Sequence, residues 1–124
     1  MSARESLRIE LFPSDLDRFV DFYLRVLRFE LVVDRRGEPS PYVAVRRGDV
    51  RIGAVAARQP VDPAARSVPQ GVEIVFEVVD LEAERNAVVG AGSELAEEIV
   101  ERPWGQRDFR LFDPDGYYLR FTTH

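Results

Sequence analysis

Apolar and polar positions alternate with period two at both ends of this chain, and the period lengthens to that of a helix in between. In residues 7–12 (LRIELF), Leu7, Ile9 and Leu11 face one way and Arg8, Glu10 and Phe12 the other. This predicts a strand with one apolar and one mixed face. Pro13 ends it, and Ser14 is the expected N-cap of a helix over 15–27, with Asp17 completing a weak capping box. Leu16, Phe19, Val20, Tyr23, Val26 and Leu27 form its apolar stripe. Strands are expected at 29–34, 42–46 and 50–56, the last two joined by a Gly48–Asp49 hairpin.

Residues 58–71 (RQPVDPAARSVPQG) show no periodicity and read as a linker. After it the order restarts. Val72, Ile74, Phe76 and Val78 alternate with Glu73, Val75 and Glu77. Asp80 caps a helix over 81–89, which Gly90 and Gly92 end. An acidic strand at 95–101, a Pro103-Trp104-Gly105 loop, a strand at 107–112, an Asp113-Pro114-Asp115-Gly116 turn and a strand at 117–122 follow. The chain thus reads as two β-α-β-β-β modules, 6–57 and 72–124, within one α+β domain. Aligning Asp15 with Asp80 sets Arg8 opposite Glu73.

Composition narrows the chemistry. There is no cysteine and no lysine, and the one histidine is His124, so disulfides, thiolate sites, Schiff bases and an internal His base are excluded. Net charge is -5, which argues against nucleic acid. No apolar run reaches the ~18–20 residues of a membrane span. The charged N-terminus lacks a signal-peptide stretch, so the expected location is cytoplasmic. Arg47-Gly48-Asp49 reads as a hairpin turn and not as an adhesion motif. Glu94, Glu97, Glu98 and Glu101 read as a solvated edge strand, and the doublets Arg35-Arg36 and Arg46-Arg47 as surface charge.

Four segments carry a family resemblance: SDLDRFVDFYLRVLRFEL at 14–31, RRGDVRIG at 46–53, VFEVVDLEA at 75–83 and PWGQRDFRLFDPDGYYLRF at 103–121. With these the chain resembles the vicinal oxygen chelate superfamily of glyoxalases, bleomycin-resistance proteins and extradiol dioxygenases, over nearly its whole length. Arg28 departs from that pattern, standing where a glycine usually ends the first helix. The resemblance implies two βαβββ modules forming a curled mixed sheet, a cup with the helices outside and the mixed strand faces lining it. In the enzymes of that superfamily a divalent metal is held by His, Gln or Glu on the first and last strands of each module. The matching positions here are Arg8, Gly53, Glu73 and Arg120. Glycine offers no donor atom and arginine offers only hydrogens, so no metal and no cofactor are expected.

The resemblance therefore implies a metal-independent small-molecule binder like the bleomycin-resistance proteins, which sequester a drug. Arg8, Glu10, Phe12, Glu73, Trp104, Tyr118 and Arg120 are the candidate ligand-binding residues, and Tyr42 and Phe112 can share the lining. Arg8, Glu73 and Arg120 either orient a polar ligand or replace a lost metal site as a structural ion-pair network. Trp104 is either an aromatic wall for a planar ligand or a loop anchor. Acidic walls with aromatic rings suit a planar, cationic ligand. The alternative is a lyase or dioxygenase of the same superfamily with Glu10 or Glu73 as base, although neighbouring guanidinium groups disfavour a carboxylate in that role. A third reading is a protein-interaction module with a filled cup. Exposed sheet edges and the resemblance both lead to an expected homodimer.

Overall fold

Asp15 and Asp80 open the two helices in the same way. In the computed structural model, which describes residues 5–59, 62–65 and 72–123, each lies in extended backbone and accepts a hydrogen bond from the amide three residues on. The donors are Arg18, at 3.1 Å, and Ala83, at 3.0 Å. Asp15, not the expected Ser14, is therefore the first N-cap. The chain divides into two units, Met1–Val61 and Asp62–His124.

In the first unit, strand β1 (Arg8–Leu11) leads into helix α1 (Leu16–Asp21), then β2 (Glu30–Asp34), β3 (Val43–Arg47) and β4 (Val50–Ala54). The sheet order is β1-β4-β3-β2, with β1 and β4 parallel and the other pairs antiparallel. In the second unit, β5 (Ile74–Val78), helix α2 (Leu81–Gly90), β6 (Glu97–Glu101), β7 (Arg107–Phe112) and β8 (Tyr118–Thr123) repeat the plan. Its sheet order is β5-β8-β7-β6. The fold is α+β, two similar modules each built on a four-stranded mixed sheet. Much of the expected linker lies outside the described residues, as does His124; within it Pro63–Ala65 form a short 3-10 turn.

The expected helix over 15–27 changes character midway. After Asp21 it widens into a π-helical segment, Phe22–Val26, closed by the Leu27 amide donating to the Phe22 carbonyl at 3.2 Å. The extra residue per turn lets Phe22 join Phe19, Tyr23, Val26 and Leu27 in the core. Tyr23 lies 4.4 Å from Phe19, 5.2 Å from Phe22 and 5.6 Å from Phe29 between ring centres. The chain then reverses through Arg28 at φ 60°, and the Phe29 amide closes on the Tyr23 carbonyl at 2.8 Å. A left-handed residue at a helix end is ordinarily glycine, which has no Cβ to clash.

Each helix covers the apolar face of its own sheet, α1 against β3 and α2 against β8. The second core stacks Phe109 on Phe121 at 5.1 Å, with Phe76 4.9 Å from Phe121. Two local expectations need correcting. Arg47 is not free surface charge, because its guanidinium donates to the Leu27 carbonyl at 3.1 Å and ties the β3–β4 hairpin to the end of the helix. The acidic edge strand is not merely solvated, since Glu98 pairs with Arg85 at 2.8 Å and Glu97 with Arg102. The Asp113 carboxylate, buried, accepts from the amides of Asp115 and Tyr117 at 2.9 Å each and fixes the turn before β8. Gly116 in that turn has φ 85°, and a Cβ there would meet Pro63 backbone at 2.8 Å.

Candidate functional site

Period-two alternation puts the mixed face of each sheet opposite its helix. In the first module that face carries Arg8, Glu10 and Phe12. Glu10 lies directly beside Gly53, and Arg8 beside Arg51, in the parallel β1–β4 ladder. The Arg8 Nε is 2.6 Å from Glu10 Oε1, and the Tyr42 hydroxyl donates to the same oxygen at 3.2 Å. Burial, followed by the negative charge of Glu10, pushes the Tyr42 phenol above its ordinary pKa. It therefore stays a donor. Glu10 Oε2 is shut off from solvent and accepts no hydrogen bond. A Cβ on Gly53 would sit 2.2 Å from the Tyr42 hydroxyl and 2.3 Å from that same Oε2. Gly53 is thus a space: the Glu10 and Tyr42 side-chain ends occupy the room a larger residue would need.

In the second module the ladder repeats with other chemistry. Val75 lies beside Arg120 in the parallel β5–β8 ladder, and Ile74 beside Leu119. Glu73 therefore stands to Arg120 as Arg8 stands to Gly53, in keeping with the alignment of Arg8 with Glu73. The Arg120 Nε approaches Glu73 Oε1 at 2.9 Å, both side chains being mostly buried at 22% and 25% exposure. Neither atom completes a hydrogen bond, so the contact is an ion pair approached off the N–H direction. Across β7–β8, Arg110 faces Arg120 and Phe112 faces Tyr118. The Arg110 guanidinium lies 5.6 Å from the centre of the Tyr118 ring, and Phe112 is 5.0 Å from that ring.

Of the seven candidates, the structure places Arg8 and Glu10 on β1 with Phe12 just past its end, and in the second module it pairs Glu73, just before β5, with Arg120 on β8, the strand that also carries Tyr118. Trp104 occupies the Pro103–Gly105 turn between β6 and β7, with 65% of its surface exposed. Sequence reasoning left the partner of one residue of these faces unassigned and missed another altogether. Tyr42 was a lining candidate, but its grip on Glu10 depends on β3 lying two strands from β1. Arg110 was legible in the alternation of RDFRLF, which sets it on the same face as Phe112. A cavity of about 500 Å³ opens at the start of α2, lined by Asp80, Glu82, Gln106, Arg107 and Thr123 among others. None of the seven candidates lines it.

The family model described as the Glyoxalase/Bleomycin resistance protein/Dioxygenase superfamily matches residues 6–121. The chain belongs to that superfamily. Solved structures agree on the fold. TioX from Micromonospora sp. ML1 is 21% identical with a TM-score of 0.79, over 98% of this chain and 99% of that one. A bleomycin resistance determinant encoded on transposon Tn5 is 22% identical with a TM-score of 0.79, over 98% of both chains. A superfamily member from Sphaerobacter thermophilus DSM 20745 is 20% identical with a TM-score of 0.73, again over 98% of both. No curated protein matches in sequence.

The residues present at the superfamily's metal-ligand positions do not fit a divalent metal. Arg8 and Arg120 carry permanent positive charge and no lone pair for coordination. The nearby carboxylates of Glu10 and Glu73 are each engaged by one of those guanidinium groups. At Gly53 the ligand's place is filled by Glu10 and Tyr42. Among the described residues, no three His, Asp or Glu side chains gather as a metal site would require, and no helix is long and apolar enough to cross a membrane.

Proposed function

We propose that this superfamily member is a metal-independent small-molecule binder that sequesters its ligand as bleomycin-resistance proteins do. The observation that carries this reading is the replacement of the ligand set by Arg8, Gly53, Glu73 and Arg120, with each arginine ion-paired to a carboxylate of its own module. Half-exposed Phe12 and Phe112 and the more exposed Trp104 supply flat surfaces on which a planar ligand can stack. The partly exposed Glu10 carboxylate supplies negative charge suited to a cationic group. Arg8, Glu10, Phe12, Glu73, Trp104, Tyr118 and Arg120 are the proposed ligand-binding residues, no cofactor is required, and the working form is a cytoplasmic homodimer. The similarity to the Tn5 determinant supports the reading at the level of the fold.

Titration with a panel of planar cationic dyes, followed by Trp104 fluorescence, tests it. Saturable quenching that survives exhaustive chelation supports the proposal. Elemental analysis of protein purified without affinity-tag metals should find well under one equivalent of Zn, Ni, Mn or Fe. Stoichiometric metal that also raises the melting temperature would sink it. Light scattering at the mass of one chain would remove the dimer.

A further inference from the structure

Two cations stand side by side on the second sheet, and the Glu73 carboxylate lies on the far side of Arg120 from Arg110. Arg110 and Arg120 are direct partners across β7–β8, a placement that brings the Cβ atoms to about 5 Å and makes like charges repel. Glu73 engages Arg120. Glu97, which lies opposite Arg110 across β6–β7, turns instead to Arg102. Among the described residues Arg110 therefore has no carboxylate partner, and its guanidinium rests over the Tyr118 ring. The Arg110 Nε–H is shut off from water and makes no hydrogen bond, and the Arg120 Nε–H, although 2.9 Å from Glu73 Oε1, does not complete one to it. Idle buried donors on charged groups are costly, and a bidentate carboxylate is the partner that guanidinium geometry fits best. Phe112, half exposed, extends the aromatic surface of Tyr118 beside them.

We propose that the β7–β8 face of the second module is a subsite for an aromatic carboxylate, its acid group held by Arg110 and Arg120 and its ring against Phe112 and Tyr118. Both arginines keep part of their surface in solvent, so a carboxylate can reach them. A turn of either side chain toward it gives each idle N–H its acceptor. The subsite rests on one sheet; it shares Tyr118 and Arg120 with the ligand-binding residues proposed above and needs no cationic ligand at Glu10.

The test is a titration of isotope-labelled protein with 2-naphthoate, followed through the arginine Nε–H resonances. The Arg110 and Arg120 signals should shift saturably, and 2-naphthamide, the uncharged analogue, should bind about tenfold more weakly or worse. Arg110→Gln should weaken 2-naphthoate by about tenfold, and Arg110→Lys should restore part of it as a point charge without the fork. Equal affinity for the acid and its amide overturns the proposal, as does the absence of a shift at the two arginines. Inorganic phosphate binding as tightly as 2-naphthoate also overturns it, because the aromatic wall would then do nothing. If Arg110→Gln fails to fold, the acid-against-amide comparison on the unaltered protein still decides.

Discussion

The two modules share a backbone plan and a register, yet they put opposite chemistry on it. In the first, the strand β4 position beside Glu10 is Gly53, and the free space is taken by a carboxylate and a phenol. In the second, the equivalent position on β8 is Arg120, and its neighbour on β5 is Val75. The charged partner sits beside glycine in one module and diagonally across from arginine in the other. The edge strands differ as well. The Glu30–Arg46 pair that joins β2 to β3 is exposed, whereas the Arg102–Asp108 pair beside β6 is buried, with Asp108 only 2% exposed. A shared ladder therefore constrains where side chains point and leaves open whether a given slot serves stability, packing or binding.

The largest expected effect lies at those edges. Arg102→Gln takes the countercharge from Asp108, whose side chain is buried, and from Glu97, so it should lower the melting temperature clearly more than the matching change in the first module. Arg46→Gln in the first module should cost no more than about 0.5 kcal/mol, since both partners stay solvated. Equal losses in thermal melts would erase the distinction between the edges. Next comes Gly53→Ala. The new methyl displaces the ends of Tyr42 and Glu10, at an expected cost of about 1–3 kcal/mol. In a Glu10→Ala, Tyr42→Phe background the same substitution should be neutral or stabilising, because alanine suits a strand better than glycine. If the cost is the same in both backgrounds, the space argument fails.

The Glu73–Arg120 pair is expected to lie between a surface and a buried ion pair. Its partners are mostly but not fully buried, and the contact is not a formed hydrogen bond. A cycle of Glu73→Gln, Arg120→Met and the double mutant should give a coupling of about 1–2 kcal/mol. Additive melts would mean that the pair holds nothing and that Arg120 is free for ligand. Arg28→Gly should raise stability by about 1 kcal/mol, because glycine takes the left-handed turn without a Cβ clash. A loss on that substitution would show that the Arg28 side chain, which donates to the Val26 carbonyl at 3.1 Å, outweighs its strain.

Local signals were the legible ones. The cap at Asp80 and the matching aspartate at position 15 aligned the modules, because a carboxylate before a helix acts within one turn. From them the equivalence of Arg8 with Glu73 followed, and from the hairpins ending in VRIG and GYYLR that of Gly53 with Arg120, and both agree with the ladders. Arg28 was legible as an anomaly because one residue at a helix end must take the left-handed turn. The π-helical segment was not legible, since the stripe from Leu16 to Leu27 fits an ordinary helix and the extra residue answers to packing around Tyr23. Ion-pair partners were not legible either. Alternation places Arg8 and Glu10 on one face but does not say that Arg8 turns back to Glu10, and it cannot say that Tyr42 reaches across. The two bulges, between Leu31 and Val33 and between Glu97 and Val100, shift the edge strands without any glycine or proline to announce them.

The smallest expected effect compares the two edge strands in acid. Asp34, at the end of β2, has its carboxyl held down to about 2 by the Arg36 side chain and then by the Arg36 amide. Glu98, in β6, is held down to about 2 by Arg85 and then by the Ile99 amide. A carboxyl depressed in the folded state stabilises above its unfolded pKa, near 4, and loses that contribution as pH falls toward 2. Both groups are solvated, so the contribution is modest and salt should shrink it further. Asp34→Asn and Glu98→Gln should each flatten the fall in melting temperature between about pH 4.5 and 2, by similar amounts and additively, since the residues sit in separate modules. An acid limb unchanged by Asp34→Asn but flattened by Glu98→Gln would show that the two edges carry their charge differently in acid as well as at neutral pH.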